Sequence, residues 1–414
     1  MLRNYLKIAW AVLQRRKFFT FISLFGISFT LMVLMVVTSL YDHAFGPQMP
    51  ERESDKLLFV NNMREQFKEG YTNSSPPSYY FLNRFVRPLK TPENVSINSV
   101  FTSVNSYVNN KKLTLDQKHT DAAFWDILDF NFIEGRPFST QEVDNATRVA
   151  VINQNTRKNY FGDKEAVGQT IEVDQVKYKV VGVVEDVPVL RLHSYADVWV
   201  PITLKSQDFK RTGLKGTYFA TIKAKQASDV PKIKEEFASM MLQVNKNSKP
   251  EGVQEVFSFA DDIFGTFARS LMGGGKTDKS AMLYGIFAFA AFLFMLLPTI
   301  NLVNINISRI MERSSEIGVR KAFGASSKTI IGQFVVENIF LTLLGGMLGF
   351  LISAAVLEMI NDSGIIAYAS LGLNLRVFAW GLLLCLVFGL VSGVYPAFKM
   401  SRLNAVEALK GGSK

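Results

Sequence analysis

Four long stretches of the chain carry no charged side chain. They cover residues 18–41, 280–308, 338–357 and 377–398 and hold 24, 29, 20 and 22 residues. A helix needs about 20 residues to cross the hydrocarbon core of a membrane, and few core helices of soluble proteins run so far without a charge. The pattern predicts an α-helical membrane protein with four transmembrane helices: TM1 at 18–41, TM2 at 280–308, TM3 at 328–357 with a cytoplasmic start, and TM4 at 377–398.

The long segment 42–279 alternates between strand and helix patterns instead. Strands are predicted at 57–61, 95–103, 217–223 and 255–259, and helices at 77–89 and 230–244. An insertion at about 113–202 has predicted strands at 148–152, 170–173 and 177–185 and a short helix at 153–161. Two β-α-β units around an insertion predict a large α+β extracytoplasmic domain, with a split ferredoxin-like subdomain interrupted by a β-rich subdomain.

The positive charge of the chain lies next to the predicted spans. The net charge is +10, yet residues 42–279 hold 31 Lys and Arg against 30 Asp and Glu. Segments 1–17, 309–327 and 399–414 together hold 13 Lys and Arg against three Asp and Glu. Because cytoplasmic loops are enriched in Lys and Arg, we expect both termini and 309–327 in the cytoplasm, and 42–279 and the short loop 358–376 outside. This predicts a multi-pass membrane protein, with no nucleic-acid partner because 42–279 lacks basic patches interleaved with aromatic residues.

Segment 1–17 has two interpretations. Leu2, Leu6, Ala9, Trp10 and Leu13 fall on one helical stripe, which is typical of a cytoplasmic amphipathic helix lying on the inner leaflet. A simple cytoplasmic extension of TM1 explains the same residues equally well. A cleaved signal peptide does not fit, because the apolar run is too long and no small-residue cleavage site follows it.

The sequence predicts no catalytic residue, no metal site and no cofactor. Cys385 is the single cysteine, and His43, His119 and His193 lack a carboxylate or cysteine at ligand spacing. Residues 270–277 (SLMGGGKT) resemble a phosphate-binding loop, but Ser270 stands where the motif needs glycine, and no buried strand precedes it. We interpret this stretch as a flexible linker before TM2, after an approach to the membrane at 261–279 that is expected to contain a helical stalk.

Small residues recur at a spacing that favours close helix packing. Gly345 and Gly349 in TM3, and Gly389 and Gly393 in TM4, each form a G-x-x-x-G pair. This spacing predicts helix–helix contact without specifying dimerisation. Glu337, at the cytoplasmic start of TM3, is expected to reach the membrane interface.

Segment 309–327 is a short charged stretch between two predicted spans. Ser314 or Ser315 can cap a helix, and Gly324 can end that helix in a left-handed conformation. Ser326 or Ser327 can then cap TM3. On composition alone, an ordinary cytoplasmic loop that only sets topology is as good an interpretation as a helix that contacts a partner.

Several runs of residues resemble the MacB/FtsX-like ABC transporter permeases. They are EIGVRKAFGA at 316–325, Gln333-Phe334 with Glu337, LGG at 344–346, and YPAFKMSRLNAVEAL at 395–409. The stretches DFNFIEGRPF at 129–138, RVAVIN at 148–153, YFG at 160–162, VG at 167–168 and VVGVV at 180–184 are similar to the MacB-type periplasmic core domain. Two small departures are Ala405, where the family often has proline, and Ser314-Ser315, where charged residues are frequent.

The resemblance implies a multi-pass protein of the bacterial plasma (inner) membrane that transmits motion from an ATPase. Residues 316–324 would form the coupling helix that docks in a groove of a cytoplasmic ABC ATPase subunit, which would bind the ATP. The ATPase-coupling residues implied are Glu316, Ile317, Gly318, Arg320, Lys321, Phe323 and Gly324. MacB has a fused nucleotide-binding domain that this sequence lacks, so a separate ATPase is implied. A second permease chain, in a homodimer or a heterodimer, would complete the unit.

Three functions found within the family are compatible with these residues. The first is efflux or secretion of a substrate, together with a periplasmic adaptor and an outer-membrane channel. The second is lipoprotein release, as in LolC/LolE-like permeases, and the third is FtsX-like transmembrane signalling to a cell-wall hydrolase. We rank efflux first because FtsX-type outer domains are generally much smaller than 42–279. A membrane scaffold outside the ABC class is a more distant fourth.

Overall fold

The computed structural model describes residues 10–11, 13–15, 17–108, 111–273, 275–312, 319, 323–368 and 370–401. The chain forms two compact units. The helical unit comprises Met1–Tyr41, Tyr284–Ile365 and Leu371–Lys414. The α+β unit comprises Asp42–Leu283 together with Ile366–Ser370.

The strands all lie in the α+β unit. They are β1 Leu57–Val60, β2 Met63–Phe67, β3 Thr72–Ser75, β4 Asn94–Ser99, β5 Thr102–Val108, β6 Lys111–Thr120, β7 Phe132–Gly135, β8 Val149–Asn153, β9 Thr170–Val173, β10 Val176–Val184, β11 Val198–Pro201, β12 Tyr218–Lys223 and β13 Val253–Ser258. A large sheet has the order β1-β12-β4-β6-β11-β8-β10-β7, with β5 paired to β6 and β9 paired to β10. A smaller sheet has the order β13-β2-β3.

The helices belong to both units. They are α1 Lys17–Phe45, α2 Tyr79–Phe81, α3 Ala123–Ile127, α4 Thr140–Asp144, α5 Gln154–Phe161, α6 Val230–Asn247, α7 Ile263–Leu271, α8 Ser280–Glu312, α9 Ser327–Ser363 and α10 Leu375–Ser401. Short 3-10 helices occupy Ser54–Lys56, Ile202–Lys210 and Ala227–Asp229. A π-type turn at Leu82–Val86 continues α2, so the single helix predicted at 77–89 is replaced by two shorter turns of different pitch.

In the first half of the α+β unit, β1, β12 and β4 lie side by side in the large sheet. β12 pairs antiparallel with both β1 and β4, and β13 pairs antiparallel with β2. Phe59 of β1 and Asp261 exchange two backbone hydrogen bonds of 2.7 and 3.1 Å, which link the two sheets. α6 lies between β12 and β13 in the chain and buries Ile233, Phe237, Met241 and Val244, a spacing that places one apolar stripe on the core.

The second half is built on a parallel pair of strands. β8 and β10 are parallel, with α5 between them in the chain, and β9 forms a hairpin with β10. Asp174 and Gln175 at the hairpin tip both have positive φ, 49° and 63°, as a tight two-residue hairpin turn requires. β9 covers the residues predicted for it, and α5 begins one residue after Asn153, whose side chain caps it by accepting from the Thr156 N–H.

β11 joins the two halves into one sheet. It pairs parallel with β6 on one side and antiparallel with β8 on the other. Its four residues are all buried. The prediction of one strand at 95–103 is wrong, because the chain turns after β4 and forms the β5–β6 hairpin. β6 was not predicted, because its residues are largely polar and lack a clear alternation of apolar and polar side chains.

The helical unit contains α1, α8, α9 and α10 in its described part. By length and composition, Lys17–Phe45 and Ile331–Ser363 are apolar enough to cross a membrane, and Ser280–Leu296 and Leu375–Val387 are shorter apolar stretches. α9 runs to Ser363, beyond the predicted end of TM3 at 357. Much of the proposed amphipathic helix 1–17 falls outside the described residues, but Trp10 lies edge-on to Phe340 of α9 with ring centroids 6.4 Å apart.

Candidate functional site

The implied coupling segment is only partly described. Glu316, Ile317, Gly318, Arg320 and Lys321 lie outside the described residues. Two other members of the implied set end a helical turn, since the N–H of Phe323 donates to the Val319 carbonyl at 3.1 Å and Gly324 has φ +89°.

Phe323 has the most exposed large side chain of this region. It is 89% exposed, and Val319 one turn earlier is 45% exposed. Ser326 then caps α9 by accepting from the Thr329 N–H at 3.2 Å. A short turn before α9 therefore presents an aromatic ring that is not covered by the described part of the chain, and exposed aromatic side chains are typical of protein contact sites.

The glycines of α9 lie where α1 approaches closely. A Cβ atom at Gly345 would stand 2.8 Å from a methyl carbon of Ile27, and one at Gly349 would stand 2.9 Å from the Ser28 carbonyl oxygen. A Cβ atom at Gly389 of α10 would meet the Thr342 hydroxyl of α9 at 3.1 Å. The surroundings of Gly393 lie outside what the structure describes. These glycines thus allow three helices of one chain to pack closely, and the same spacing is no longer free to indicate a dimer interface.

We expect Gly349→Val to destabilise the helical unit by about 1–3 kcal/mol, because the added methyl groups collide with the α1 backbone. Unfolding of the full chain in mixed micelles with increasing sodium dodecyl sulfate would measure this loss. Gly285→Val in α8 is the matched control, since a Cβ there meets nothing within 4 Å. Equal stability of the two variants would contradict the packing role of Gly349.

Gln333 and Glu337 form a polar pair on α9. The Gln333 amide donates to the Glu337 carboxylate at 3.1 Å, and both side chains are buried. The prediction that Glu337 reaches the membrane interface stays a prediction, because burial against other side chains does not fix the level of the membrane. This hydrogen bond joins side chains four residues apart, so it is made within α9.

A buried ion pair in the α+β unit was missed by sequence reasoning. Arg191 is 0% exposed and Glu51 is 1% exposed, and their Nη1 and Oε2 atoms are 2.9 Å apart. The other guanidinium nitrogen of Arg191 donates to the Gly46 carbonyl at 2.7 Å, one residue after α1 ends. Ser194 donates to the second oxygen of Glu51 at 2.7 Å. These contacts join the end of α1, the segment after it and the loop before β11. We call Arg191, Glu51, Gly46 and Ser194 the Arg191 cluster.

Lys118 fixes the same loop from the sheet. Its ammonium group is fully buried and donates to the carbonyls of Leu192 and His193 at 2.9 and 2.7 Å. Burial lowers the pKa of Lys118 to about 7. His193 stacks on Phe59 with ring centroids 4.1 Å apart, and burial, followed by the nearby Lys118, lowers its pKa to about 3. Lys118 and His193 therefore stabilise the core through polar and stacking contacts. Among the described residues, no group of three or more His, Cys, Asp or Glu side chains could hold a metal ion.

Two arginine side chains bind the glycine-rich stretch that resembles a phosphate-binding loop. α7 ends at Leu271, and the carbonyls of Gly273 and Gly275 accept hydrogen bonds from Arg64 and Arg269 at 2.9 and 2.7 Å. A phosphate loop presents N–H groups to its ligand, whereas this one offers carbonyls to cations. Arg269 also binds Asp261 through two hydrogen bonds. Within the expected stalk at 261–279, the helix covers Ile263–Leu271 and buries five of its residues in the α+β unit.

Two family models match the chain. The MacB-like periplasmic core domain matches residues 20–240, and the FtsX-like permease C-terminal domain matches residues 288–405. The chain belongs to the MacB/FtsX-like family of ABC transporter permeases.

Relatives of this family include MacB, the macrolide export ATP-binding/permease protein of Bdellovibrio bacteriovorus, which is 28% identical over 67% of this chain and 41% of its own length. The uncharacterized ABC transporter permease YknZ of Bacillus subtilis is 25% identical over 67% of this chain and 65% of its own. The periplasmic region of MacB from Actinobacillus actinomycetemcomitans aligns at 19% identity with a TM-score of 0.35, covering 51% of this chain and 92% of that one. The chain thus spans less than half the length of the Bdellovibrio protein and under two thirds of YknZ.

Proposed function

We propose that the chain is the permease subunit of a MacB-type ABC transporter that passes ATP-driven motion from a separate cytoplasmic ATPase to the α+β unit outside the membrane. In this proposal α1, α8, α9 and α10 are four transmembrane helices, and both termini are cytoplasmic. The observation that carries the proposal is the exposed Phe323 ring at the end of a helical turn, within the run EIGVRKAFGA that resembles the family's coupling helix.

The chemistry of residues 316–324 suits an apolar groove with an acidic rim. Ile317 and Phe323 would enter the groove of the ATPase, and Arg320 and Lys321 would face carboxylates around it. Glu316 would favour the start of the helix, while Gly318 and Gly324 would allow close approach and termination. A helix that fits such a groove can move with the ATPase when ATP binding closes the ATPase dimer.

The α+β unit would be the output of the transporter. We interpret the strand order β13, β1 with β2, β12 and β4 as the split ferredoxin-like subdomain, with β6 to β11 as the inserted β-rich part. Two permease chains and two ATPase chains would form the working unit, and the substrate would be handled outside the membrane. Efflux or secretion, with a periplasmic adaptor and an outer-membrane channel, is the proposed use of this motion.

We expect Ile317→Asp to lower co-purification of the ATPase with the tagged full-length chain by about tenfold or more. A carboxylate placed in an apolar groove loses its hydration without gaining a partner, and each tenfold change corresponds to about 1.4 kcal/mol. Arg320→Glu should act in the same direction by reversing a rim charge. Capture of the ATPase from detergent extracts, followed by its ATP hydrolysis rate, measures both effects.

Leu242→Asp provides the matched control, because Leu242 is 73% exposed on α6 of the α+β unit and receives the same change. Unchanged capture and unchanged ATP hydrolysis in Ile317→Asp and Arg320→Glu would rule out this segment as the coupling helix. Once an ATPase is identified, export of a small molecule, release of a lipoprotein or altered hydrolase activity separates efflux from the lipoprotein-releasing and signalling roles.

A further inference from the structure

The loop between α9 and α10 belongs in part to the α+β unit. Its middle, Ile366–Ser370, is grouped with the α+β unit, whereas the residues on either side of it belong to the helical unit. A chain with this order would be expected to connect the units only after α1 and before α8. Here the chain also enters and leaves the α+β unit between α9 and α10.

The tip of this loop is bound by polar groups at the centre of the large sheet. The Tyr368 hydroxyl donates to the Asp197 carboxylate at 2.9 Å and accepts from the Asn155 side-chain amide at 2.9 Å. The Ala367 carbonyl accepts from the Val189 N–H at 3.4 Å. Both hydrogen-bonding positions of the phenol are thus used, so the tyrosine is held by its hydroxyl and not only by burial of its ring.

Asp197 is a firm anchor because it is itself part of the sheet framework. Its carboxylate also accepts from the Asn153 amide at 2.9 Å and from the Asp116 backbone N–H at 2.9 Å. The backbone N–H of Asp197 donates to the Asp116 carbonyl at 2.8 Å, and its carbonyl accepts from the Asn153 N–H at 3.0 Å. Asn153 ends β8 and Asp116 lies in β6, so Tyr368 binds where the two halves of the sheet meet.

The backbone of Tyr368 is strained in a way that the contacts explain. Its φ is +57°, a left-handed conformation that costs a non-glycine residue free energy. Such conformations persist where surrounding contacts determine them. Glycine would relieve the strain at this position but would remove the phenol.

The base of the loop is closed within the helical unit. The Asn361 side chain, near the end of α9, donates to the Leu371 carbonyl at 3.0 Å and accepts from the Leu371 N–H at 2.9 Å. Ser39 of α1 donates to the next carbonyl, that of Gly372, at 2.9 Å. The loop is therefore clamped at its base on α9 and α1 and bound at its tip to the sheet, with only a few residues between the two attachments.

We propose that this loop is a third mechanical tie, which transmits displacement of the outer ends of α9 and α10 to the α+β unit through Tyr368. A chain segment bound at both ends and only a few residues long has little slack, so a shift of the Asn361 clamp reaches the Asp197 anchor. The transmitting role rests on the proposed function, whereas the tie itself is a property of this chain alone.

Hydrogen–deuterium exchange of the full-length chain in lipid nanodiscs, without any ATPase, tests the tie. Tyr368→Phe removes one hydroxyl and keeps the ring, so we expect exchange at 364–374 and at the Val189 amide to quicken by about two- to tenfold, the loss of about one hydrogen bond. Tyr107→Phe is the matched control, because the Tyr107 side chain is 64% exposed on β5. Unchanged exchange in Tyr368→Phe would overturn the tie.

Asn361→Ala distinguishes a tie from a passively docked loop. The substitution lies in the helical unit, yet we expect it also to quicken exchange at the Val189 amide of the α+β unit, because a released base lets the tip leave. An effect confined to 361–374 would overturn the tie. Failure of ATPase capture in the separate coupling-helix experiment would remove the proposed function but leave these exchange results to be judged alone.

Discussion

Replacing Arg191 by alanine is expected to destabilise the α+β unit by about 3–5 kcal/mol, the cost of leaving one charge of a buried pair without its partner. Glu51 would keep only the Ser194 hydroxyl, and the Gly46 carbonyl would lose its donor. Neither group has water to replace the guanidinium, because both members of the pair are almost completely buried. The Arg191 cluster would then no longer hold the segment that follows α1.

Thermal unfolding of the full chain in detergent, followed by tryptophan fluorescence, measures this loss. Arg136→Ala is the control, because Arg136 also pairs with a glutamate but is 57% exposed, and exposed pairs contribute about 0–1 kcal/mol. The double substitution Arg191→Met with Glu51→Leu should recover most of the lost stability, since it removes both charges and fills similar volume. A double variant as unstable as Arg191→Ala would show that packing, and not the orphaned charge, sets the cost.

Trp199→Ala is expected to cost about 3–5 kcal/mol, as large-to-small substitutions at fully buried aromatic sites do. The Trp199 ring is 0% exposed and lies against Trp125 and Phe130 at centroid distances of 6.0 and 5.5 Å. Its indole N–H donates to the Ser194 carbonyl at 3.2 Å, so the substitution also removes a donor from the loop of the Arg191 cluster. Because Trp199 lies on β11, the cavity would open at the strand that joins the two halves of the sheet.

Urea unfolding of the full chain in detergent provides the measurement, with limited proteolysis of the α+β unit as a second readout. Trp380→Ala on α10 is the matched control, because that ring is 62% exposed and belongs to the helical unit. A Trp199→Ala chain as resistant to urea and protease as the control would mean that the core closes over the gap. Trp199→Phe should fall between the two, since it keeps most of the ring volume but loses the N–H donor.

Local patterns were sufficient for much of the fold. The residues of β9, the cap at Ser326 and the left-handed Gly324 each follow from a few neighbouring residues, and the structure has them where the sequence predicts. Polar strands were missed, because β6 carries buried Lys118 and His119 where alternation leads one to expect apolar side chains. Lys118 is accommodated in the strand because the carbonyls of Leu192 and His193, distant in sequence, accept hydrogen bonds from its ammonium group.

The candidate sites, like the strands and caps, were predictable only where a local sequence pattern defines them. The glycines of α9 and α10 were found because helix spacing is a local property, although the side chains and backbone that they meet in α1 and α9 could not be named from the sequence. Hydrogen-bonded residues of the Arg191 cluster are up to 145 positions apart in the sequence, as Arg191 and Gly46 are. No local pattern could therefore predict their contact. Tyr368 was missed for the same reason, since a short loop between predicted spans gives no sign that a distant aspartate binds it.

The position of β11 between β6 and β8 has a consequence for how this domain can be recombined with others. An insertion that arrived as a self-contained module could be excised at its two ends, leaving its host intact. Here removal of 113–202 would take β11 and most of β6 with it and expose the edge of β4 to intermolecular pairing. Exchange of outer parts between homologous permeases should therefore succeed only when the crossover points keep β4, β6 and β11 from the same parent.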